Sequence, residues 1–585
     1  MRLGTAQLIS SIALLASRGS GLDNGLGELP PMGYNTWYDF GCSLNQDELE
    51  ATVRAMDDYG LIELGYKYFN LDDCWSGGRH PNGSIFAAQP QFPTGTLKPL
   101  ADYAHQFGLR FGTYTCRGDL TCAGRPGSLG HERLDAQTWA SWGVDLLKED
   151  SCYTDGDWQD HDTALQQYRT MRDALNETGR AIYFALCGWF PWYAPYGAPI
   201  ANSWRTGLDN NNWAAVLSNI DTSANLAQYA GPGGYNDPCL LISRSASGAP
   251  LATELQSRAQ FSMWAILAAP LLISGNVRNM SAFTLATYSN AEVIAVNQDK
   301  LGKQGTRLVG GPITMQAYLS KCDKTNPAQW FQLGSDPGIA SSFIRVVDSA
   351  PPVCLMSRGC QSDPIFAPCR AGGAPTCSGN TTAPHPDQEL SIEPYTNQLV
   401  SGLNGTATGA GWAPLGRGGC MAPTVFPYLS LEACDTHPVR ARQQWSFVRP
   451  NISTLGKHTL QRSVSSRSGQ GSTSGNDIDG GLVVHKGSGT CLTRGGLTRT
   501  NIWSRPLSNG SFALLFLNAG ATAAKVTCDR SCWAKAGVVA SSTVEVRDLW
   551  QHMDLPSQTT NVALSKELEP DGGVALFKIT PRGQS

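Results

Sequence analysis

The chain has 585 residues and a formal net charge of −4, from 44 Lys and Arg against 48 Asp and Glu. That length exceeds what one ordinary hydrophobic core requires and predicts a barrel-sized domain with further domains beside it. The basic residues are scattered, which excludes the electrostatic footprint of a nucleic-acid binder and favours a neutral, polar substrate.

At the N-terminus Arg2 precedes an apolar run from Leu8 to Ala16, followed by the small residues Ser17, Gly19, Ser20 and Gly21. This pattern predicts a signal peptide over 1–22, and hence a secreted, vacuolar or lysosomal protein. The run is too short to span a bilayer and no second apolar segment of that length follows, so no membrane partner is expected. Seven Asn-x-Ser/Thr sequons, at Asn82, Asn176, Asn279, Asn380, Asn404, Asn451 and Asn509, fit the same route. The 17 cysteines lack paired Cys-x-x-Cys spacing and predict disulfides in an oxidising compartment, with at least one left over.

From about Pro30 to Asn276 short apolar runs alternate with helical patterns, as successive β/α units do. The first helix is capped by Asn45, with Glu48 reaching back; Leu49, Val53 and Met56 share its buried face and Gly60 ends it. Leu165, Tyr168, Met171 and Leu175 form a second core stripe, and Leu255, Ala259 and Met263, with Trp264 beside them, a third. Eight strands are expected to start near Met32, Tyr68, Phe111, Asp145, Tyr183, Ser203, Gly234 and Pro270. The fold class is therefore α/β, an eight-fold β/α (TIM) barrel over 28–305. In such a barrel the strand C-termini face the active site. Polar clusters stand there: Trp37; Asp72-Asp73-Cys74-Trp75; Lys148-Glu149-Asp150; Trp204-Arg205 with Asp209; and Asn236-Asp237.

After about Leu308 the helical period disappears, and residues 306–500 read as an inserted Cys-rich β region. Tyr318-Leu319-Ser320, Cys322-Asp323 and Gln329-Trp330 are echoed by Tyr428-Leu429-Ser430, Cys434-Asp435 and Gln444-Trp445. Ser463 to Gly481 is a Ser/Gly-rich loop. Residues 501–585 return to alternating strands, including Phe512 to Asn518 and Val544 to Leu549, and predict a C-terminal antiparallel β-sandwich.

Cleaving a glycosidic bond takes one group that protonates the leaving oxygen and another that attacks the anomeric carbon, usually two carboxylates. Asp150 and Asp209 are the candidate pair. Lys148, two residues before Asp150, is expected to keep that carboxylate ionised. Pattern alone leaves structural ion pairing open for both acids. Asp72 and Asp73 read as acceptors for sugar hydroxyls, and no ligand set nearby supports a metal. Trp37 and Trp75 suit either ring stacking or the core.

These residues sit in longer motifs: Met32-Gly33-Tyr34-Asn35-Thr36-Trp37, Leu71-Asp72-Asp73-Cys74-Trp75, Thr121-Cys122-Ala123-Gly124, Trp204-Arg205 with Asp209, Gly231-Pro232-Gly233-Gly234-Tyr235-Asn236-Asp237-Pro238 and Ala295-Val296-Asn297-Gln298-Asp299. In this order, with Lys148 and Asp150 between them, they resemble the family 27 glycoside hydrolases of the α-galactosidase (melibiase) type. The tail from Ile502 to Leu507 is similar to that family's C-terminal β domain. The resemblance implies a retaining enzyme without cofactor or metal, acting on α-galactoside-containing oligosaccharides or glycoconjugates. It implies Asp150 as nucleophile and Asp209 as acid/base, a galactose subsite lined by Trp37, Asp72, Asp73, Tyr114, Lys148 and Arg205, and disulfides Cys42–Cys74 and Cys122–Cys152. The Gln-Trp repeats of the insert resemble ricin-type β-trefoil lectins and imply a second bound glycan.

The sequence also departs from the family pattern. Gly188-Trp189 follows Cys187 where a larger polar residue is usual near the sugar 2-position, which predicts a wider pocket, with Pro191 and Trp192 available to refill it. That keeps N-acetylgalactosamine open as a substrate, and β-L-arabinopyranoside behind it. Cys116 and Cys239 replace two usual Asp residues, and Ala201 stands where a partner for Cys187 is frequent; a Cys116–Cys239 bridge is the expected pairing. An inactive carbohydrate-binding barrel is the alternative from another class, against which Lys148, Asp150, Arg205 and Asp209 all argue.

Overall fold

The computed structural model describes residues 24–154, 161–245, 248–314 and 498–582, and between 317 and 496 a series of strands with some of their neighbours. The expected signal peptide over 1–22, the Ser/Gly-rich stretch 463–481 and the residues Tyr428, Cys434, Asp435 and Gln444 of the second repeat lie outside the described residues.

Nine strands form one parallel sheet: β1 (Met32–Asn35), β2 (Tyr68–Asn70), β3 (Arg110–Cys116), β4 (Leu146–Asp150), β5 (Tyr183–Cys187), β6 (Ser203–Arg205), β7 (Tyr235–Asp237), β8 (Leu241–Ile242) and β9 (Leu271–Ser274). Their spatial order is β8-β9-β1-β2-β3-β4-β5-β6-β7, with every pairing parallel. The edge strands β7 and β8 are joined by Pro238–Leu240 alone, so the sheet curls round on itself as a TIM-like barrel. The eight expected starts lie within one residue of eight of these strands. The extra strand, β8, has two residues, too few for periodicity to reveal.

Helix Gln46–Asp58 shows how local sequence sets the β/α units. Asn45 accepts from the amides of Asp47 and Glu48, and Leu49, Val53 and Met56 are buried. The Glu48 carboxylate does not reach back as expected; it accepts from Arg278 at 3.2 Å, an ion pair between distant segments that local pattern cannot reveal. The reciprocal box forms instead between Thr253 and Gln256, at the start of helix Glu254–Leu267. That helix is buried on nearly every side, Leu255 being its partly exposed exception among the expected stripe, because the barrel covers one face and the C-terminal domain the other.

The C-terminal domain has a six-stranded antiparallel sheet with spatial order Thr306–Val309, Thr500–Pro506, Phe512–Asn518, Gly573–Pro581, Thr543–Asp548, Met553–Thr559, and a two-stranded sheet of Ala524–Cys528 with Leu564–Leu568. Along Phe512–Asn518 the side chains alternate. Leu514 and Phe516 enter the domain's own core, while Ala513, Leu515 and Leu517 join the barrel's, which explains an unbroken apolar run. Arg505 is buried at this junction and donates to the carbonyl oxygens of Ala265 and Asn297. The adjacent strands Thr306–Val309 and Thr500–Pro506 bracket the inserted region, so the insert leaves and rejoins the protein at one place. Its described strands make three four-stranded antiparallel sheets, and Cys322–Cys491 ties the first to itself.

No helix among the described residues is long and apolar enough to cross a membrane. The described sequon residues Asn82, Asn176, Asn279 and Asn509 are all exposed.

Candidate active site

Because the barrel strands are parallel, their C-terminal ends open on one face, and register decides which side chains meet there. Tyr114 lies beside Lys148, Cys116 beside Asp150, and Asp150 beside Cys187. Strand alternation sends Lys148 and Asp150 toward the mouth and Glu149 the other way. Burial raises the Glu149 carboxyl well above the usual range, opposed by Arg117 and reinforced by Glu132 and Asp135.

Asp150 is buried. One carboxylate oxygen accepts from the amide of Ser151 at 2.9 Å and the other from the Tyr114 hydroxyl at 3.1 Å. Burial pushes its carboxyl up to about 6, with Lys148 pulling down and Asp209 pushing up. Lys148, expected to keep Asp150 ionised, attracts in that sense, but desolvation in a closed barrel outweighs it. Lys148 donates to Asp72 Oδ2 at 2.8 Å and lies over the Tyr114 ring at 4.9 Å. Burial alone would lower its ammonium, but Asp72, Cys187, Asp150 and Asp209 raise it well above the usual range and keep it charged.

Asp72 and Asp73 are both buried at the end of β2, and adjacency gives them different partners. Asp72 Oδ2 also accepts from Asn35 Nδ2 at 2.7 Å, and Asp72 Oδ1 from the Asp73 amide. Asp73 accepts from the amides of Cys74 and Ala123, and burial raises its carboxyl. Asn35 thus orients Asp72 and also receives the Trp37 amide at 2.9 Å, fixing that half-buried indole at the mouth. Asn35 lies in the motif Met32-Gly33-Tyr34-Asn35-Thr36-Trp37, but nothing in a sequence reports which side chain it would hold. Trp75 is 2% exposed and donates to the Tyr114 carbonyl oxygen, so it belongs to the core rather than to a sugar platform.

Across the mouth, Arg205 is buried at the end of β6. It donates to Asp209 Oδ1 and to the Gly207 carbonyl, each at 2.9 Å, and to the Cys187 sulfur at 3.5 Å. The Asp209 side chain is half exposed, on the loop beyond β6. Two candidate carboxylates therefore stand in contrasting surroundings, one buried and one open to solvent.

Disulfides Cys42–Cys74 and Cys122–Cys152 brace the loops around the site. The one grouping of three metal-type side chains among the described residues is Cys122, Asp150 and Cys152, and both sulfurs are spent on that disulfide. The expected Cys116–Cys239 bridge is absent: Cys116, Cys187 and Cys239 are all free and buried. Cys116 ends β3 and Cys239 follows β7, with β4, β5 and β6 between them. Cys116 donates to the Cys152 carbonyl at 2.9 Å, and the Cys239 sulfur accepts from the Asn210 amide at 3.4 Å.

The space beside Gly188 is not open. A Cβ placed there would lie 1.9 Å from the Tyr193 ring, so Tyr193, rather than Pro191 or Trp192, fills the gap. Trp192 stacks on Tyr193 at 3.7 Å, and His161 on Trp192 at 3.7 Å. Trp189 has φ +62°, a left-handed conformation costly for a bulky residue and a mark of a constrained site.

Comparisons with known proteins bear on the fold and the family. The family model described as alpha galactosidase A matches residues 29–299, and the alpha galactosidase C-terminal beta sandwich domain matches 498–579. A probable alpha-galactosidase of Dictyostelium discoideum is 42% identical over 305 residues, covering 52% of this chain and 76% of that one. The alpha-galactosidase of Cyamopsis tetragonoloba is 46% identical over 291 residues, covering 49% and 68%. Among solved structures, the Saccharomyces cerevisiae alpha-galactosidase shares the fold at a TM-score of 0.59 and 22% identity, covering 96% of this chain and all of that one. With three-quarters of a relative spanned at such identity, and both of its domains matched in order, the chain belongs to the α-galactosidase (melibiase) family of glycoside hydrolases.

Proposed function

We propose that the protein is a retaining exo-glycosidase that removes terminal α-D-galactosyl residues from oligosaccharides and glycoconjugates. The observation that carries this reading is the pair of carboxylates at the barrel mouth in contrasting surroundings: Asp150 buried, with Lys148 partly offsetting its desolvation, and Asp209 half exposed and held by the buried Arg205. An acid that must give up and recover a proton suits the half-exposed Asp209. A nucleophile that must be desolvated suits Asp150.

In the first step Asp150 attacks the anomeric carbon, the glycosidic C–O bond breaks, and the Asp209 proton passes to the departing oxygen. In the second step Asp209 takes a proton from water, whose oxygen attacks the same carbon and releases Asp150 with net retention. Asp72, Asp73 and Lys148 would bind the galactose hydroxyls, with Trp37 against the ring face and Arg205 holding the acid/base. The Tyr193 ring packed against Gly188 supports galactose over N-acetylgalactosamine, because the space a larger side chain would have taken there is already filled.

Hydrolysis of 4-nitrophenyl α-galactoside by the purified chain, alongside the α-N-acetylgalactosaminide and β-L-arabinopyranoside, tests this reading. Clear preference for the galactoside supports it. Preference for another of the sugars reassigns the substrate, and silence on all three returns weight to an inactive sugar-binding barrel.

The inserted region, with its three four-stranded sheets and Gln329 donating to Thr493 at 3.0 Å, supports a trefoil-like unit that holds a second glycan. Deleting 310–499 should weaken retention on galactan-bearing polymer more than hydrolysis of the nitrophenyl substrate; equal loss of both contradicts a separate binding role. Export is proposed on the leader pattern and the exposed sequons.

A further inference from the structure

Arg117 is the first residue past β3, and it is buried, at 3% exposed, although its charge has no part in the two steps above. Taking a guanidinium out of water costs several kcal/mol, and an apolar side chain of similar length would fill the space without that cost. The use of the charge lies in what it holds. Arg117 Nε donates to Ser151 Oγ at 3.0 Å, Nη1 donates to Gln167 Oε1 on helix His161–Glu177, and Cζ lies 5.5 Å from the centre of the Tyr168 ring on the same helix. The Arg117 amide donates to the Asp150 carbonyl at 3.0 Å. Ser151 Oγ is also 2.7 Å from the Tyr168 hydroxyl, so this buried serine is gripped from β3 and from the helix together.

That grip bears on Asp150 through one bond. The Asp150 carboxylate accepts from the Ser151 amide at 2.9 Å and from the Tyr114 hydroxyl at 3.1 Å. These donors differ in stiffness: a hydroxyl turns about its C–O bond, whereas an amide hydrogen is fixed in the peptide plane. The Ser151 amide therefore sets the plane of the carboxylate. Its own direction is set on one side by the bond from the Arg117 amide to the Asp150 carbonyl, and on the other by the anchored Ser151 Oγ.

We propose that Arg117 is a positioning residue for the nucleophile: acting through Ser151, it fixes the amide that aims the Asp150 carboxylate at the anomeric carbon. The inference rests on the proposed role of Asp150. A carboxylate must meet carbon in line with the departing bond, so freedom to rotate lowers the rate. Sugar held by Asp72, Asp73 and Lys148 does not feel that rotation until the new bond forms, so ground-state binding is spared.

The test pairs Arg117→Met with Ser151→Ala, alone and together, on 4-nitrophenyl α-galactoside. Each single change should lower kcat/KM about tenfold, the worth of one aligned hydrogen bond. The double variant should lose no more than either single one, because both break the same link. The inhibition constant of free galactose should keep its wild-type value. The fixed amide also favours the ionised carboxyl, so the acidic limb of kcat/KM should move up by roughly half a pH unit in Arg117→Met and in Ser151→Ala alike. Lys148, Asp209, Arg205, Tyr114, Cys116 and Cys187, which also face Asp150, are the same in every variant. Arg117 opposes the raised Glu149 carboxyl too, so Ser151→Ala, which removes a single oxygen and leaves that charge in place, decides the question even where Arg117→Met fails to fold. Wild-type activity in Ser151→Ala, a limb that moves only in Arg117→Met, losses that multiply in the double variant, or galactose binding that weakens in step with kcat/KM would each overturn the proposal while leaving the galactosidase reading intact. A wild-type chain silent on this substrate would overturn the two together.

Discussion

Asp150→Asn is expected to abolish turnover and, at neutral pH, to make the folded chain more stable. Asn has the shape of the protonated acid but cannot attack carbon. The stability change follows from burial, which raises the Asp150 carboxyl from its ordinary 3.8 to about 6. A carboxyl raised on folding lends stability that is complete below 3.8 and is lost as pH rises through about 6. At pH 7 the ionised form therefore costs roughly 3 kcal/mol, taking about 1.4 kcal/mol per unit of pKa. Asn does not carry that cost. Thermal unfolding at pH 7 should show Asp150→Asn melting several degrees above wild type, and at pH 3 the difference should vanish. The same titration sets the acidic limb of wild-type kcat/KM near pH 6, because only the ionised form is a nucleophile. A variant that melts at or below wild type at pH 7 would contradict the burial argument.

Arg205→Lys should lower kcat/KM by about 30- to 100-fold, equivalent to about 2 to 3 kcal/mol, although charge is conserved. One guanidinium nitrogen serves Asp209 and the Gly207 carbonyl together, and another faces the Cys187 sulfur. A planar fork meets these directions at once, and an ammonium does not. The shorter side chain either abandons Asp209, leaving the acid/base unoriented, or leaves the Gly207 carbonyl unpaired in the barrel wall. Kinetics on the nitrophenyl galactoside checks this, with circular dichroism to verify folding. Activity within about threefold of wild type would show that positive charge suffices and that orientation is not the role of Arg205.

What the sequence conveys here follows strand geometry. Lys148, Asp150 and Arg205 were legible as site candidates because polar residues at the ends of apolar runs have few structural uses in a barrel, and eight of the nine strands carry enough residues to announce themselves. Relations across the barrel were not legible. Cys116 and Cys239 looked like partners until strand order placed three strands between them. Glu48 met the local pattern of a capping box, yet Arg278, 230 residues away, takes its carboxylate. Gly188 suggested an opening because no local pattern places the Tyr193 ring against it. The sign of Lys148's action on Asp150 was readable from spacing; that burial exceeds it was not, since desolvation is a property of the closed barrel.

Double displacement requires that Asp150 become covalently attached to the sugar. Incubating the chain with a fluorinated α-galactosyl donor whose second step is slow, followed by peptide mass spectrometry, tests it most directly. A single fluorogalactosyl adduct is expected on the peptide carrying Asp150, absent from Asp150→Asn. Turnover without an adduct and with inversion of the anomeric centre, or an adduct on another residue, would contradict it.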